Sequence, residues 1–234
     1  MESDHVRVGT SGFSYAEWKG TFYPADLTPS RMLRYYAERF STVEINNTFY
    51  RMPTEKLLSG WAGQVPETFS FVLKAPRRIT HELRLRDAAD VARAFAGRAA
   101  LLGPRLGPAL FQLPPFLRKD VPLLADFCAS LPGGFRAAFE FRHASWLADE
   151  VYDTLRAAGA ALCVAESEDL ATPLVATAPW GYLRLRRQDY VEQDIESWAE
   201  RIQAQSWSET FVFFKHEDSG AGPALAARLL ALLR

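Results

Sequence analysis

Cysteine is scarce in this sequence: Cys128 and Cys163 are the only two among 234 residues. Both lie within apolar segments, and two thiols cannot supply a disulfide framework, so we expect buried thiols in a reducing compartment. Long apolar runs are also missing, since none approaches the length of about 20 residues that spans a bilayer. Residues 1–20 contain no apolar stretch behind a basic start, as a secretory signal would. We therefore expect a cytoplasmic protein that has no membrane partner.

The chain also lacks a charge excess of either sign, because 27 lysine and arginine side chains oppose 28 aspartate and glutamate side chains. Proteins that coat duplex DNA usually carry a large positive excess, so this balance argues against such a role. Lysine itself is rare, with 5 lysines against 22 arginines. A guanidinium group suits carboxylate and phosphate partners, which makes the positions of the arginines informative.

The motifs of several common protein classes are absent. The sequence has no repeat, low-complexity segment or Gly/Ser-rich linker that would mark a domain boundary. It has no P-loop and no Gly-x-Ser-x-Gly nucleophile elbow, and the glycines at Gly9 and Gly12 lack the dinucleotide-binding spacing. We therefore expect a single domain, 1–234, without these nucleotide or serine-hydrolase sites.

Short apolar runs alternate with longer helical patterns along the chain. The predicted strands are Val6–Thr10, Thr42–Asn46, Ser70–Lys74, Ala109–Gln112, Ala137–Phe141, Ala161–Ala165, Tyr182–Leu185 and Phe211–Phe214. The predicted helices are Arg31–Phe40, Thr54–Val65, Leu85–Leu102, Val121–Leu131, Ser145–Ala158, Tyr190–Gln205 and Pro223–Leu233. This alternation favours parallel βαβ units in an α/β fold. Eight strands in 234 residues fit a TIM-like (β/α)8 barrel, and an open doubly wound sheet is the alternative.

Polar side chains cluster where the predicted strands end, which is the end of a TIM barrel that carries chemistry. Since the apolar members of strands two, five and seven must face the helices, the alternate polar members are predicted to point into the barrel. The predicted inward cations are Lys74, Arg77, Arg142, Arg184, Arg186 and Lys215, and the carboxylates are Glu44, Glu140, Glu166 and Glu217. Buried charges need partners, and the excess of cations predicts a pocket for an anionic ligand.

These strand-end motifs resemble those of the YecE-like family, also called domain of unknown function 72. The matching stretches are Val8–Tyr15 with Trp18, Phe22–Pro24, Val43–Tyr50, Lys74–Pro76, Ile79–His81, Leu110–Pro115 and Phe139–Trp146. The resemblance covers nearly the whole chain and implies a TIM-like barrel, but it supplies no settled reaction. The chain departs from the usual pattern at Arg186-Arg187 and at Lys215-His216-Glu217, where both changes add charge.

Four residues are the candidate catalytic groups: Glu44, Glu140, His143 and Lys74. Either glutamate could transfer a proton, or it could form an ion pair that stabilises the barrel, as Glu44 would with Lys74. Lys74 could instead be a nucleophile. Nearby carboxylates are expected to raise its pKa, which disfavours imine chemistry.

A metal site is another possibility at these strand ends. His81, His143 and His216 follow predicted strands and, together with the inward glutamates, offer the nitrogen and oxygen ligands that zinc or manganese prefers. Because the predicted inward cations would repel a divalent metal, we predict no metal and no other cofactor.

The candidate ligand-binding residues lie at or just after the strand ends. They are Thr10, Ser11, Tyr15, Trp18, Asn46, Tyr50, Arg77, His81, Gln112, Arg142, Trp146, Arg184, Arg186, Lys215 and His216. The aromatic members could form a platform for a base or sugar, or they could simply pack over the barrel mouth.

Three functional hypotheses follow. The first is an acid–base enzyme, such as a hydrolase, lyase or isomerase, whose partner is a phosphorylated or sugar-like anionic small molecule. The second is a nucleic-acid-binding or endonuclease IV-like processing barrel that uses the same arginines. The third is a barrel that binds its ligand without converting it. The sequence leaves the substrate and the oligomeric state open.

Overall fold

Parallel strands form the inner wall of the computed structural model, which describes residues 5–166, 170–215 and 220–234. The eight strands within these ranges are β1 (Val6–Thr10), β2 (Thr42–Ile45), β3 (Ser70–Lys74), β4 (Leu106–Gln112), β5 (Ala137–Glu140), β6 (Ala161–Glu166), β7 (Trp180–Leu185) and β8 (Glu209–Phe214). Hydrogen-bonded neighbours follow the order β1-β8-β7-β6-β5-β4-β3-β2. A parallel bridge between Ser11 and Glu44 brings the end of β1 beside β2, so the barrel is nearly closed.

Helices cover the outside of this barrel. The α-helices in the described ranges are α1 (Pro29–Ala37), α2 (Glu55–Ala62), α3 (Ala89–Ala99), α4 (Val121–Ser130), α5 (Asp149–Ala158), α6 (Glu192–Gln203) and α7 (Ala221–Leu232). Local sequence sets several ends: the Thr54 hydroxyl accepts a hydrogen bond from Leu57 N at 3.2 Å, and the Asp120 carboxylate accepts one from Leu123 N at 3.1 Å. Gly159, with φ of 64°, ends α5. Across the described residues, no helix is both long and apolar enough to cross a membrane.

The TIM-like barrel predicted from the sequence is confirmed, and the open doubly wound sheet is wrong. One clear difference in boundaries concerns α3, which begins at Ala89 rather than at Leu85. Arg84, Leu85 and Asp87 have φ values of 53°, 67° and 50°. These left-handed conformations prevent a right-handed helix from forming before Ala89. The helix predicted from Ser145 likewise begins later, at Asp149, because Ala144–Trp146 forms a separate 3-10 turn.

The inside of the barrel is apolar below its C-terminal end. Inward side chains form one cluster: Val72, Leu110, Ala138, Ala161, Cys163, Ala165, Trp180, Tyr182, Phe211 and Phe213. Four members of this cluster are followed, two residues further along the same strand, by a polar side chain: Lys74 on β3, Gln112 on β4, Glu140 on β5 and Arg184 on β7. Since side chains two apart share a face, these polar groups lie directly above the apolar filling. Of the two cysteines, Cys163 is buried as predicted and Cys128 is partly exposed.

Candidate functional site

Arg184 lies at the centre of an ion-pair network at the C-terminal end of the barrel. Its side chain is only 2% exposed. Nη2 donates to Glu44 Oε1 at 2.8 Å, and Nη1 donates to Glu140 Oε2 at 2.5 Å. The inward placement of Glu44, Glu140 and Arg184 predicted from strand alternation agrees with these contacts. One buried guanidinium therefore joins β2, β5 and β7.

Glu44 is fully buried and accepts three hydrogen bonds. Besides Arg184, its partners are Ser11 Oγ at 2.7 Å to Oε1 and the Tyr182 hydroxyl at 2.6 Å to Oε2. Burial alone would raise the pKa of this carboxyl, but the Arg184 charge and the hydroxyl hydrogen bonds outweigh burial and lower it. The ion pair predicted between Glu44 and Lys74 is replaced by the pair with Arg184.

Glu140 is surrounded by three arginines. In addition to Arg184, Arg142 Nε donates to Oε1 at 2.5 Å, and Arg186 Nη1 lies 3.4 Å from the same oxygen. Burial opposes the charge, yet the three guanidinium groups together lower the pKa of Glu140 to about 2. The carboxylate is therefore ionised at neutral pH, where it balances charge and is a weak base.

Lys74 points into the same space from the end of β3. Its Nζ donates to Gln112 Oε1 at 2.8 Å and lies 4.3 Å from the centre of the Phe49 ring. Burial, with added repulsion from Arg184, lowers the pKa of Lys74 to about 8 despite the nearby Glu140 and Glu44. The two glutamates do act to raise this pKa, as expected, but burial and the Arg184 charge outweigh them, so the net shift is downward.

Several buried donors at the mouth have no hydrogen-bond acceptor among the described residues. They are Asn46 Nδ2, Arg184 Nε and Arg186 Nε. Burial, together with repulsion from Arg184 and Arg142, lowers the pKa of Arg186 although Glu140 opposes this change. Buried polar atoms are normally paired, so this end of the barrel has more donors than its own residues use.

Two of the candidate histidines differ in what they contact. His81 Nδ1 lies 2.9 Å from Thr80 Oγ1, and its ring packs edge-on at 4.9 Å against the Phe49 ring that also faces Lys74. Burial and the charge of Lys74 lower the pKa of His81. His143 Nδ1 instead accepts a hydrogen bond from Ser145 N at 3.1 Å, which caps the turn after β5.

Other predicted ligand-binding residues lie away from the network. The Thr10 hydroxyl contacts Tyr36 OH at 3.0 Å and Gly12 O at 2.6 Å, on the helix side of β1. Trp18 is 1% exposed and packs against Tyr15 with ring centres 4.7 Å apart. The Tyr15 hydroxyl donates to the Ser11 carbonyl oxygen. These contacts fit the packing alternative rather than a binding platform.

The remaining aromatic and basic candidates also lie away from the ion-pair network. Trp146 is fully buried, stacks 4.7 Å from Phe141 and donates through Nε1 to the Leu117 carbonyl oxygen at 2.7 Å. Tyr50 is 76% exposed. Arg77 is also exposed and pairs with Glu82 at 3.2 Å, so it lies at the rim.

Glu166 was predicted to point inward, and this prediction is wrong. Its Oε2 accepts hydrogen bonds from the Tyr190 hydroxyl at 2.6 Å and from Trp198 Nε1 at 3.0 Å, on the side of α6. The inward positions of β6 are taken by alanines and Cys163, so Glu166 falls on the opposite face.

The end of β8 is only partly described. Lys215 N donates to the Leu185 carbonyl oxygen at 3.2 Å, and the Lys215 charge contributes to the lowered pKa of Lys74. The predicted site residues His216 and Glu217 lie outside the described residues. Tyr182 is a network member that the candidate set lacked, although its alternation with Arg184 placed it on the inward face. Within the described ranges, no three His, Cys, Asp or Glu side chains are grouped so that they could hold a metal ion.

Comparison with known proteins places this geometry in a family. The family model described as "Protein of unknown function DUF72" matches residues 7–234. The chain belongs to the DUF72 family. This membership agrees with the resemblance that the strand-end motifs suggested.

Individual DUF72 relatives match different shares of the chain. UPF0759 protein YecE from Escherichia coli (strain K12) is 37% identical over 117 residues, which are 50% of this chain and 43% of that protein. The chain thus aligns with less than half the length of this relative. The crystal structure of a DUF72 family protein from Thermotoga maritima has a TM-score of 0.87 at 29% identity, covering 97% of this chain and 98% of that one. A DUF72 structure from Enterococcus faecalis has a TM-score of 0.79 at 19% identity over 97% and 95% of the two chains, a likeness of fold.

Proposed function

We propose that the barrel mouth binds an anionic small molecule, phosphorylated or sugar-like, and transfers protons to or from it. The observation that carries this proposal is the surplus of buried donors at the mouth. Among the described residues, Lys74, Arg142, Arg184 and Arg186 surround two carboxylates, and two of these arginines have an Nε donor without an acceptor there. An anion would accept from such donors and balance the excess charge.

Two arginines are suited to contact the ligand directly. The side chains of Arg142 and Arg186 are 21% and 18% exposed, whereas that of Arg184 is 2% exposed. Arg142 and Arg186 therefore border the solvent while their other donors reach Glu140. In this arrangement Arg184 and the glutamates hold the two outer arginines in position, and the arginines bind the anion.

Proton transfer at neutral pH falls to groups other than the two glutamates. A general acid or base works best when its pKa is near the working pH, and the pKa of Glu140 is about 2. The pKa of Lys74, about 8, is closer to that range. His81, whose ring packs edge-on against the same Phe49 ring that Lys74 faces, is the second candidate.

Calorimetric titration with inorganic phosphate tests the proposal. We expect saturable binding to the unmodified protein and at least about a tenfold loss of affinity in Arg186→Met, since hydrogen bonds to charged groups contribute about 1.5–3 kcal/mol each. The matched control is Arg136→Met at the opposite end of the barrel, which should bind as the unmodified protein does. Equal phosphate affinity in the unmodified protein and in Arg186→Met would contradict the proposal.

The same titration separates the other two hypotheses. A short single-stranded oligonucleotide that binds more tightly than phosphate, with affinity falling steeply as salt rises, would favour the nucleic-acid barrel. Phosphate esters that bind but remain unchanged after long incubation would favour a barrel without turnover.

A further inference from the structure

We propose that the Nζ of Lys74 forms an imine with the carbonyl group of an anionic substrate held at the barrel mouth. This inference rests on the proposed anion site and adds a substrate class to it, a compound that carries a carbonyl group close to a carboxylate or phosphate.

The contacts of Lys74 fit a nucleophilic amine better than a structural ion pair. Its Nζ has one hydrogen-bond partner among the described residues, the neutral amide oxygen of Gln112, and faces the Phe49 ring. Both inner carboxylates, Glu44 and Glu140, are instead paired with Arg184 at 2.8 and 2.5 Å. Among the described residues, therefore, no carboxylate forms a direct ion pair with Lys74.

The surroundings also keep a useful fraction of this amine unprotonated. Burial and the Arg184 charge lower its pKa to about 8, so roughly one molecule in ten carries a neutral amine at pH 7. A lysine desolvated beside another cation is a recognised form of activated nucleophile. Lys74 is nevertheless only partly buried as a residue, so a bound substrate can reach it from the mouth.

The anion-binding arginines would hold the carbonyl close to this amine. Arg142 and Arg186 both contact Glu140, and the charges of Glu140 and Lys74 influence each other. In this proposal a carboxylate or phosphate bound by the two arginines has its adjoining carbonyl carbon in the space that Lys74 faces. The proposed substrate class is therefore small 2-oxo acids and phosphorylated ketones.

The step balances without an oxidant or reductant. The lone pair of the neutral Nζ attacks the carbonyl carbon, and the carbonyl π electrons move to oxygen, which takes up a proton to give a carbinolamine. Nitrogen then loses a proton, the hydroxyl group takes up another, and water leaves as the C=N bond forms. His81, which shares the Phe49 ring with Lys74, is placed to carry these protons.

Borohydride trapping tests this inference on the full chain. The protein is incubated with pyruvate or with dihydroxyacetone phosphate, sodium borohydride is added, and the modified lysine is located by peptide mass spectrometry. Hydride adds to the imine carbon and leaves a stable secondary amine. We expect at least about tenfold more adduct on Lys74 than on the exposed Lys56, and loss of that adduct in Lys74→Arg but not in Lys56→Arg.

The outcomes of this experiment separate the imine from the anion site. Adduct on Lys74 that inorganic phosphate suppresses supports both. Calorimetric phosphate binding with no more adduct on Lys74 than on Lys56, for either carbonyl compound, overturns the imine and leaves the anion site standing. Adduct on Lys74 in a protein that does not bind phosphate supports the imine and overturns the anion site. Because the central comparison uses the unmodified protein, it remains valid even if Lys74→Arg folds poorly.

Discussion

Charged clusters lie at both ends of this barrel, and they are built differently. At the N-terminal end, Arg7 Nε and Arg136 Nη1 donate to the two oxygens of Glu209 at 2.6 and 2.5 Å. The Arg7 and Glu209 side chains there are each 25% exposed. At the C-terminal end, Glu44 and Glu140 are completely buried with Arg184.

The two clusters differ in how completely their hydrogen-bond donors find acceptors within the cluster. At the N-terminal end each oxygen of Glu209 accepts from one arginine, and Arg7 Nη1 donates to the Thr68 carbonyl oxygen at 2.8 Å. At the C-terminal end buried donors on Asn46, Arg184 and Arg186 have no acceptor in the described part of the chain. Desolvating charge is costly, so an incompletely paired buried cluster is a poor way to stabilise a fold. This contrast supports the proposal that the C-terminal cluster holds an anion, at the end of the barrel that usually carries chemistry in TIM barrels.

Removing the central guanidinium group of Arg184 should cause the largest loss in the free energy of unfolding. Arg184→Met leaves Glu44 without an ion-pair partner among the described residues, and breaking a buried pair in this way costs about 3–5 kcal/mol. Urea unfolding at neutral pH measures this loss. Arg7→Met at the N-terminal end is the matched control and should cost about 1 kcal/mol or less. If the two variants lost the same unfolding free energy, the clusters at the two ends of the barrel would not differ in their contribution to stability.

The next largest effect should be on phosphate affinity rather than on the free energy of unfolding. Because Arg142 borders the solvent, we expect Arg142→Ala to weaken phosphate binding about tenfold while lowering stability by about 1 kcal/mol or less. Titration and urea unfolding of the same preparation give both values. Arg77→Ala, which changes an exposed arginine at the rim, should leave both unchanged. If Arg142→Ala lost stability and kept its phosphate affinity, Arg142 would be a structural residue.

The third effect is on the pH dependence of stability. The pKa of Glu140 is about 2 in the folded protein and near 4.3 in the unfolded chain, so on acidification the unfolded chain takes up the proton first. The stabilisation that ionised Glu140 contributes is present above about pH 4.3 and is lost as the pH falls toward 2. Over this range the free energy of unfolding falls by up to about 1.4 kcal/mol per pH unit. Glu140→Gln should reduce this slope in urea unfolding between pH 4 and pH 3. An unchanged slope would show that Glu140 titrates normally.

The smallest effect is expected at the N-terminal cluster. Glu209→Gln replaces a partly exposed carboxylate and should cost about 1 kcal/mol or less, without altering phosphate affinity. A change in phosphate binding in this variant would mean that the two ends are coupled.

The sequence predicts the fold well because the barrel depends on patterns that are local. Alternation along single strands was enough to place Glu44, Glu140 and Arg184 on the inner face. Glu166 was predicted to point inward only from its position at a strand end, and β6 instead fills the interior with small residues. Alternation along a strand also gives no distances between strands.

The lowered pKa of Lys74 is the main property that required the structure. Its sign depends on the burial of the amine and on the charge of Arg184 beside it, which no single segment reveals. The roles of Trp18 and Trp146 were undetermined for a similar reason, since an aromatic after a strand can face either the mouth or the packed layer beside it. Both tryptophans pack.

A crystal grown without polyvalent anions and then soaked in inorganic phosphate tests the central claim most directly. The account predicts a tetrahedral density feature at the C-terminal mouth within hydrogen-bond distance of the Arg142 and Arg186 guanidinium groups and of Asn46 Nδ2. Water alone at that position, with phosphate bound elsewhere or nowhere in the soaked crystal, would contradict it.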